Sequence, residues 1–270
     1  MSDLIFAFLK YYGWLLLLTL GTVVVCGFAV RICSRVFSKL MGTPSGAIFD
    51  ITSVIGTPVH ELGHAMMCPL FGHKIESMRL WTPKPENGVY GYVNHSYNRK
   101  NLWARLGNLF IGLGPIFSGM LVMVLMLWLC FPNQWNDYLA STAHLTLGDH
   151  AFQDLTGNIF SLFLNLPHAF KTDALRSVLG LLVILPVSLH ISLSAQDIKG
   201  SLGAFPLYLF LLLVFGIITY AFGIGGIIVS ALWVFNLRLL SLFCLVIAFS
   251  LIWVVIGLII RGVKILISCF

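Results

Sequence analysis

The chain has 270 residues, of which 59% are hydrophobic and 10% are charged, and its mean hydropathy is +0.95. Soluble domains contain about 25% charged residues, so this chain has too little polar surface to fold as a water-soluble globule. The composition also excludes a disordered chain, a collagen-like fibre and a small disulfide-stabilised secreted domain. The net charge of +6 comes from basic residues that lie mainly between apolar runs. This pattern fits the anionic surface of a lipid bilayer and predicts no nucleic-acid partner.

Apolar runs predict about six transmembrane helices, because a helix needs about 20 mostly apolar residues to cross a bilayer. In chain order the runs cover residues 11–30, 46–71, 106–131 and 178–196, with room for two more helices in 204–267. We therefore predict an all-α, multi-pass membrane protein.

The runs divide the chain into three regions. Residues 1–45 hold the first span and a linker, 46–203 form a membrane core, and 204–270 form a region of two spans. With a cytoplasmic amino terminus, ten Lys and Arg residues lie on the cytoplasmic side and six, Arg31 and Arg35 among them, on the outer side. Membrane proteins show this bias, so we expect this orientation in a bacterial cell membrane.

Two polar segments connect the middle runs. Residues 74–81 and 89–97 have strand-like composition, and the turn-forming residues between them, Pro83, Pro85, Asn87 and Gly88, predict a small membrane-associated β-hairpin after the second span. The segment 132–177 is interpreted as an outer loop. Its polar residues are either solvated or a second metal site, and they are His144, Asp149, His150 and Asp154.

The motif that carries chemistry is His60-Glu61-Leu62-Gly63-His64, in the second run. Histidines four residues apart lie on one helix face, so both imidazoles can contact a single ion. Glu61 is rotated by about 100° from His60 and can contact a water on that ion. Ionisable residues within a membrane helix cost a few kcal/mol to insert and usually mark a functional site. The alternative is a polar cluster that only holds helices together. Gly63 either leaves room at the metal face or allows close helix packing.

Asp197 is the predicted third ligand, because a catalytic zinc site needs three protein ligands and an open position for water. It lies about 30 Å along the fourth helix, and the two histidines lie about 20–27 Å along the second. The two helices run in the same direction, which places all three side chains toward the cytoplasm. The alternative for Asp197 is an ordinary boundary charge. Asp50 competes as a ligand, but it lies about 15 Å before His60 and reaches the ion only if the helix breaks.

Three features of the sequence resemble the site-2 protease family of intramembrane zinc metalloproteases. They are the HExGH motif in a span, the Gly114-Pro115 pair in the third span, and an Asp near the end of the fourth. The resemblance covers residues 46–202, and it is to members without a PDZ domain. It implies a three-helix catalytic core that binds one Zn²⁺. The implied ligands are His60, His64 and Asp197, with Glu61 as the general base.

The resemblance also implies that an edge strand of the polar segment pairs with the substrate. An exposed strand can hold an unwound peptide by adding it to the sheet. The residues assigned to this role are Val89, Gly91, Tyr92 and Val93.

The sequence departs from the family pattern before Asp197. Leu189 and Ser192 stand where the family has Asn and Pro, and Ile198 stands where Gly is usual. His190 is seven residues before Asp197, on the same face of a continuous helix, and is predicted to replace the missing Asn as a donor to the oxyanion. The alternative for His190 is a histidine buried in the core.

The sequence therefore predicts an intramembrane zinc metalloendopeptidase that hydrolyses peptide bonds in or near transmembrane segments of other membrane proteins. Two alternatives belong to other classes of protein. One is a non-catalytic scaffold or chaperone that binds client helices, which would need no general base at Glu61. The other is a metal transporter, which would need several ionisable residues along one path.

Overall fold

A computed structural model describes residues 2–41, 47–86, 88–143 and 151–268. The fold is all-α with one small two-stranded antiparallel sheet, as predicted. A five-residue π-helix, Leu17–Gly21, joins the first two helices. The α-helices are α1 (Ser2–Leu16), α2 (Thr22–Met41), α3 (Ala47–Leu70), α4 (Leu102–Cys130), α5 (Pro132–Ala143), α6 (Ala151–Thr172), α7 (Ala174–His190), α8 (Ala195–Leu202), α9 (Phe205–Ala221) and α10 (Gly225–Ser268). The strands are β1 (Lys74–Arg79) and β2 (Tyr92–Ser96).

Several helices are long and apolar enough to cross a membrane, which indicates a membrane-embedded protein. In the described ranges these are Ser2–Met41, Leu102–Cys130 and Gly225–Ile267. The bent pair α7 and α8 makes a fourth if it counts as one span. The structure thus supports three to four spans where about six were predicted. The difference arises because α3 carries many polar residues, and because the last region forms the short helix α9 and one very long helix.

The helices α3 and α4 touch backbone to backbone. A Cβ added to Gly63 would lie 2.5 Å from the Gly114 carbonyl carbon, so no side chain fits between the two helices at this point. Nearby, the Ser118 hydroxyl donates a hydrogen bond to the Val59 carbonyl at 2.7 Å. Of the two interpretations of Gly63, close helix packing is therefore the one observed.

The predicted hairpin is confirmed, with strands shorter than expected. β1 pairs antiparallel with β2, from Lys74 opposite Ser96 to Arg79 opposite Tyr92. The connecting loop turns back along α3, where the Trp81 indole donates to the Ser53 hydroxyl at 2.8 Å and the Tyr90 hydroxyl donates to Asp50. These bonds dock the hairpin against the first half of α3.

The predicted fourth span is not one continuous helix. It ends as α7 at His190, and the chain bends by 56° before α8 begins at Ala195. Ser194 has extended backbone dihedrals and caps α8, so the helical hydrogen-bond ladder restarts at this residue. The prediction that His190 and Asp197 share one helical face is therefore wrong.

Candidate metal centre

The structure brings the three predicted metal ligands together. Nε2 of His60 lies 3.5 Å from Oδ2 of Asp197, and Nε2 of His64 lies 3.1 Å from Oδ1. All three ligand atoms are within 4.8 Å of one another. A tetrahedral zinc site with bonds of about 2.05 Å separates neighbouring ligand atoms by about 3.3 Å. The two nitrogen–oxygen distances are close to this value, and they involve different oxygens of the Asp197 carboxylate, so the three side chains form a candidate site for one ion.

Backbone carbonyls orient both imidazole rings. Nδ1 of His60 donates to the carbonyl of His190 at 2.9 Å, and Nδ1 of His64 donates to the carbonyl of Ile111 at 2.7 Å. Because a carbonyl only accepts, Nδ1 of each ring carries a proton, and Nε2 of each ring faces the carboxylate of Asp197. Metal-ligating histidines in proteins are commonly held in this way.

The start of α8 fixes the carboxylate of Asp197. The Ser194 N–H donates to Oδ2 at 2.6 Å, and the Asp197 N–H donates to the Ser194 hydroxyl at 3.1 Å, so the two residues form a reciprocal capping box. Gly112 of α4 lets α8 approach closely, since a Cβ there would lie 2.8 Å from the Asp197 carbonyl oxygen. The competing ligand Asp50 lies outside the cluster, on an unbroken α3, and accepts a hydrogen bond from Tyr90.

Glu61 is buried beside the hairpin. Its side chain is 7% exposed, and a Cβ added to Gly91 would lie 2.8 Å from its Cγ. The chain leading into β2 therefore lies against the Glu61 side chain. Glu61 is not one of the clustered ligands but lines the same cavity as they do. This is the position that a proton-accepting group beside the ion would need.

The cavity has a volume of about 760 Å³. Its wall includes all four residues predicted to bind substrate, which are Val89, Gly91, Tyr92 and Val93. In the described part of the chain, β2 pairs with β1 alone, so its other edge has no strand partner.

His190 contacts the centre through its backbone as well as lining the cavity with its side chain. Its ring nitrogen Nε2 is 3.0 Å from the Thr52 hydroxyl, and its ring lies edge-on to Phe49. A Cβ added to Gly56 would lie 2.5 Å from the ring, so the imidazole packs tightly against α3. The carbonyl that orients His60 is a contribution that the sequence did not indicate. Donation by the His190 ring to an oxyanion stays a prediction.

A second pair of histidines connects the hairpin to α4. The His73 Nε2–H donates to the Ala104 carbonyl at 2.7 Å, so its Nδ1 accepts the Nδ1–H of His95 at 2.9 Å. We call these two residues the hairpin imidazole pair. Burial lowers the pKa of His95 below its ordinary value, and a proton on His73 or His64 lowers it further. A neutral His95 thus belongs to the docked hairpin.

Two arginines in the cavity wall could not be assigned to the site from the sequence motif. Arg31 and Arg35 were assigned to the outer side as topological charges, but both line the cavity with the metal centre. Arg31 lies within α2 and is only 9% exposed. The sequence does contain a pattern that points to them. A polar stripe at helical spacing runs along α2 and consists of Arg31, Ser34, Arg35 and Ser38.

His144, Asp149 and His150, considered for a second metal site, lie outside the described residues, and the side chain of Asp154 is also outside them.

Comparisons of the chain with protein-family models, with curated proteins and with solved structures find no match. The function is therefore argued from the geometry of the centre alone.

Proposed function

We propose that the protein is an intramembrane zinc metalloendopeptidase of the site-2 protease type. The observation that carries this proposal is the placement of two imidazoles and one carboxylate with their ligand atoms within 4.8 Å of one another. The carboxylate is stabilised by positive charge between these groups, either from a bound cation or from protons on the imidazoles. A divalent cation supplies that charge, and two histidines with one carboxylate form a ligand set that zinc accepts while keeping a position open for water.

The proposed chemistry divides between the ion and the chain. When bound, zinc lowers the pKa of a ligated water toward 7 and polarises a carbonyl oxygen. Glu61 accepts the proton of the attacking water and delivers it to the leaving amine. The cavity admits water to a site otherwise surrounded by apolar helices.

The proposed substrate is a transmembrane segment of another membrane protein. Its peptide groups must leave their own helical hydrogen bonds before they can react. Among the described residues β2 has one edge without a strand partner, and Gly91 at its start lies against Glu61. The proposed substrate segment adds to this edge and so reaches the general base. This arrangement supports hydrolysis rather than simple binding of client helices, because a binding scaffold needs no carboxylate at this position.

We also propose that α3 lies at membrane depth and that the cavity faces the cytoplasm of a bacterial cell. The hairpin lines the cavity and carries Lys74, Arg79 and Lys84, and cytoplasmic segments are enriched in such basic residues. Labelling of single cysteines in the hairpin by a membrane-impermeant reagent tests this orientation. Labelling in intact cells, without opening the membrane, would contradict it.

The decisive experiment is the substitution Glu61→Gln, with Glu86→Gln as the matched control. Glu86 is exposed in the hairpin loop and does not line the cavity. We expect both purified variants to keep one zinc per chain by elemental analysis. We expect Glu61→Gln alone to abolish cleavage of co-expressed, tagged transmembrane reporters. In membranes from the Glu61→Gln strain, proteomics should detect an uncut precursor.

Two results would contradict the proposal. Cleavage that persists in Glu61→Gln would exclude Glu61 as the base, and zinc that is undiminished in Asp197→Ala would exclude the third ligand. A melting curve of each variant separates lost chemistry from lost folding.

A further inference from the structure

The cavity beside the metal centre has a strongly basic wall on one side. Arg31 and Arg35 are one turn apart on α2, and both line the cavity together with the metal-binding cluster and the chain leading into β2. Arg31 is buried and Arg35 is exposed. The proposed mechanism uses neither residue.

Arg31 is held against the metal centre by one hydrogen bond. Its Nη1 donates to the Ser194 carbonyl at 3.2 Å, and the N–H of the same Ser194 donates to the Asp197 carboxylate. One residue, Ser194, therefore separates this guanidinium from the proposed ligand Asp197. Of the five donors that a guanidinium carries, this bond occupies one.

Neither arginine forms an ion pair with a side chain that the structure describes, and Asp197 acts on Arg31 only at longer range. Among the side chains that the structure describes, no carboxylate lies within 4.0 Å of either guanidinium. The nearby carboxylate of Asp197 faces the two imidazoles instead. Burying an unpaired guanidinium within a membrane helix is costly, and such residues usually mark a binding path.

We propose that Arg31 and Arg35 select substrates with an aspartate or glutamate side chain close to the peptide bond that is cut, an inference that rests on the proposed endopeptidase function. The planar guanidinium fork matches a carboxylate and binds it with two parallel hydrogen bonds. Arg35 makes the direct contact because its side chain is exposed. Arg31 adds a second, buried positive charge and positions the start of α8.

The location of the arginines favours a peptide carboxylate over a lipid phosphate. Both residues line the same cavity as Glu61 and Gly91. A peptide on the β2 edge would pass through this cavity. A lipid headgroup there would occupy the space that the substrate needs.

The test uses a reporter that the wild-type protein cuts, with Glu, Gln or Lys placed in turn at each position within four residues of the cut. At one or more positions we expect the Glu reporter to be cut about 10- to 100-fold faster than the Gln reporter. Arg35→Glu should reverse the preference toward Lys, and Arg35→Lys should restore part of it. Lys39→Glu is the matched control, because Lys39 is one turn further along α2, exposed, and outside the cavity wall. It should leave the preference unchanged.

A binding measurement makes the test independent of turnover. In the Glu61→Gln background, fluorescent peptides with Glu or Gln at the selected position should differ in Kd by a similar factor, and Arg35→Glu should remove that difference. Equal affinities, or equal loss of cleavage for all three reporters in Arg35→Glu, would overturn the inference.

Two further outcomes identify which proposal fails. If reporters are cut with no charge preference, the inference fails and the endopeptidase proposal stands. If the binding preference holds but no reporter is cut, the endopeptidase proposal fails and carboxylate recognition stands. If the arginines instead bind a lipid, Arg35→Glu should reduce cleavage only in vesicles that contain anionic lipid, and by the same factor for every reporter. This result would also overturn the inference.

Discussion

Gly112 gives the sharpest test of how the third ligand is positioned. A Cβ at this position would lie 2.8 Å from the Asp197 carbonyl oxygen, whereas ordinary contacts begin at 3.4 Å. The Ser201 hydroxyl oxygen would lie closer still, at 1.9 Å, and must rotate away. Even then, Gly112→Ala moves the first turn of α8 by about 0.6 Å, the difference between the two backbone distances. Metal–ligand distances tolerate shifts of only about 0.2 Å. We expect zinc affinity to fall about 10- to 100-fold, as it does when groups that orient metal ligands are disturbed.

The assay is a competition between the purified protein and a zinc chelator, with melting curves measured in parallel. Overpacking of this kind costs about 1–3 kcal/mol of stability, so the variant should still fold. Gly13→Ala in α1 is the control, because a Cβ there meets nothing within 4 Å. If Gly112→Ala binds zinc as tightly as the control, this contact does not position Asp197 and the reasoning fails.

The remaining predictions concern helix packing and the hairpin. Gly63→Ala puts a methyl group against the Gly114 backbone and should lower stability by about 1–3 kcal/mol; a melting temperature equal to that of the control glycine variant would contradict the observed contact. Trp81→Phe removes the hydrogen bond to Ser53, so hydrogen exchange in the hairpin loop should speed up by the equivalent of about 1 kcal/mol; unchanged exchange would argue against docking of the loop. Because folding lowers the pKa of His95, the unfolded chain binds more protons below about pH 6.5, and hairpin docking should weaken as the pH falls. The variant His95→Asn keeps a donor but does not titrate, so its hydrogen exchange, corrected for intrinsic rates, should lose this pH dependence.

Much of the fold could be predicted from local patterns. The long apolar runs predicted a helical membrane protein, and the turn residues between residues 74 and 97 predicted the hairpin. The number of spans could not be predicted in the same way. Hydropathy does not reveal that α7 and α8 are separate helices, because the break depends on the Ser194 cap and on the packing of α8 against α4.

The candidate site, like the fold, could be predicted only in part. The positions of His60 and His64 relative to each other follow from helical periodicity, so the sequence was sufficient to pair them. The position of Asp197 was predicted from its depth along a continuous helix. In the structure Asp197 also lies beside the two imidazoles, but it does so at the start of a separate helix, α8. The orienting carbonyls of His190 and Ile111 could not be predicted, because every residue has a carbonyl and only tertiary packing selects which one faces an imidazole.

By itself, the sequence determined the membrane character of the chain, the paired imidazoles with an adjacent carboxylate, and the existence of the hairpin. These features follow from the composition and from the periodicity of the helix, and both can be read from short stretches of sequence. Only the tertiary structure decided how α8 approaches α4, which part of the hairpin lies against Glu61, and that Arg31 and Arg35 line the cavity. The physical reason is that a glycine in an apolar helix looks the same in sequence whether it faces lipid or another backbone, and an arginine looks the same whether it lies at the membrane surface or in the wall of a cavity.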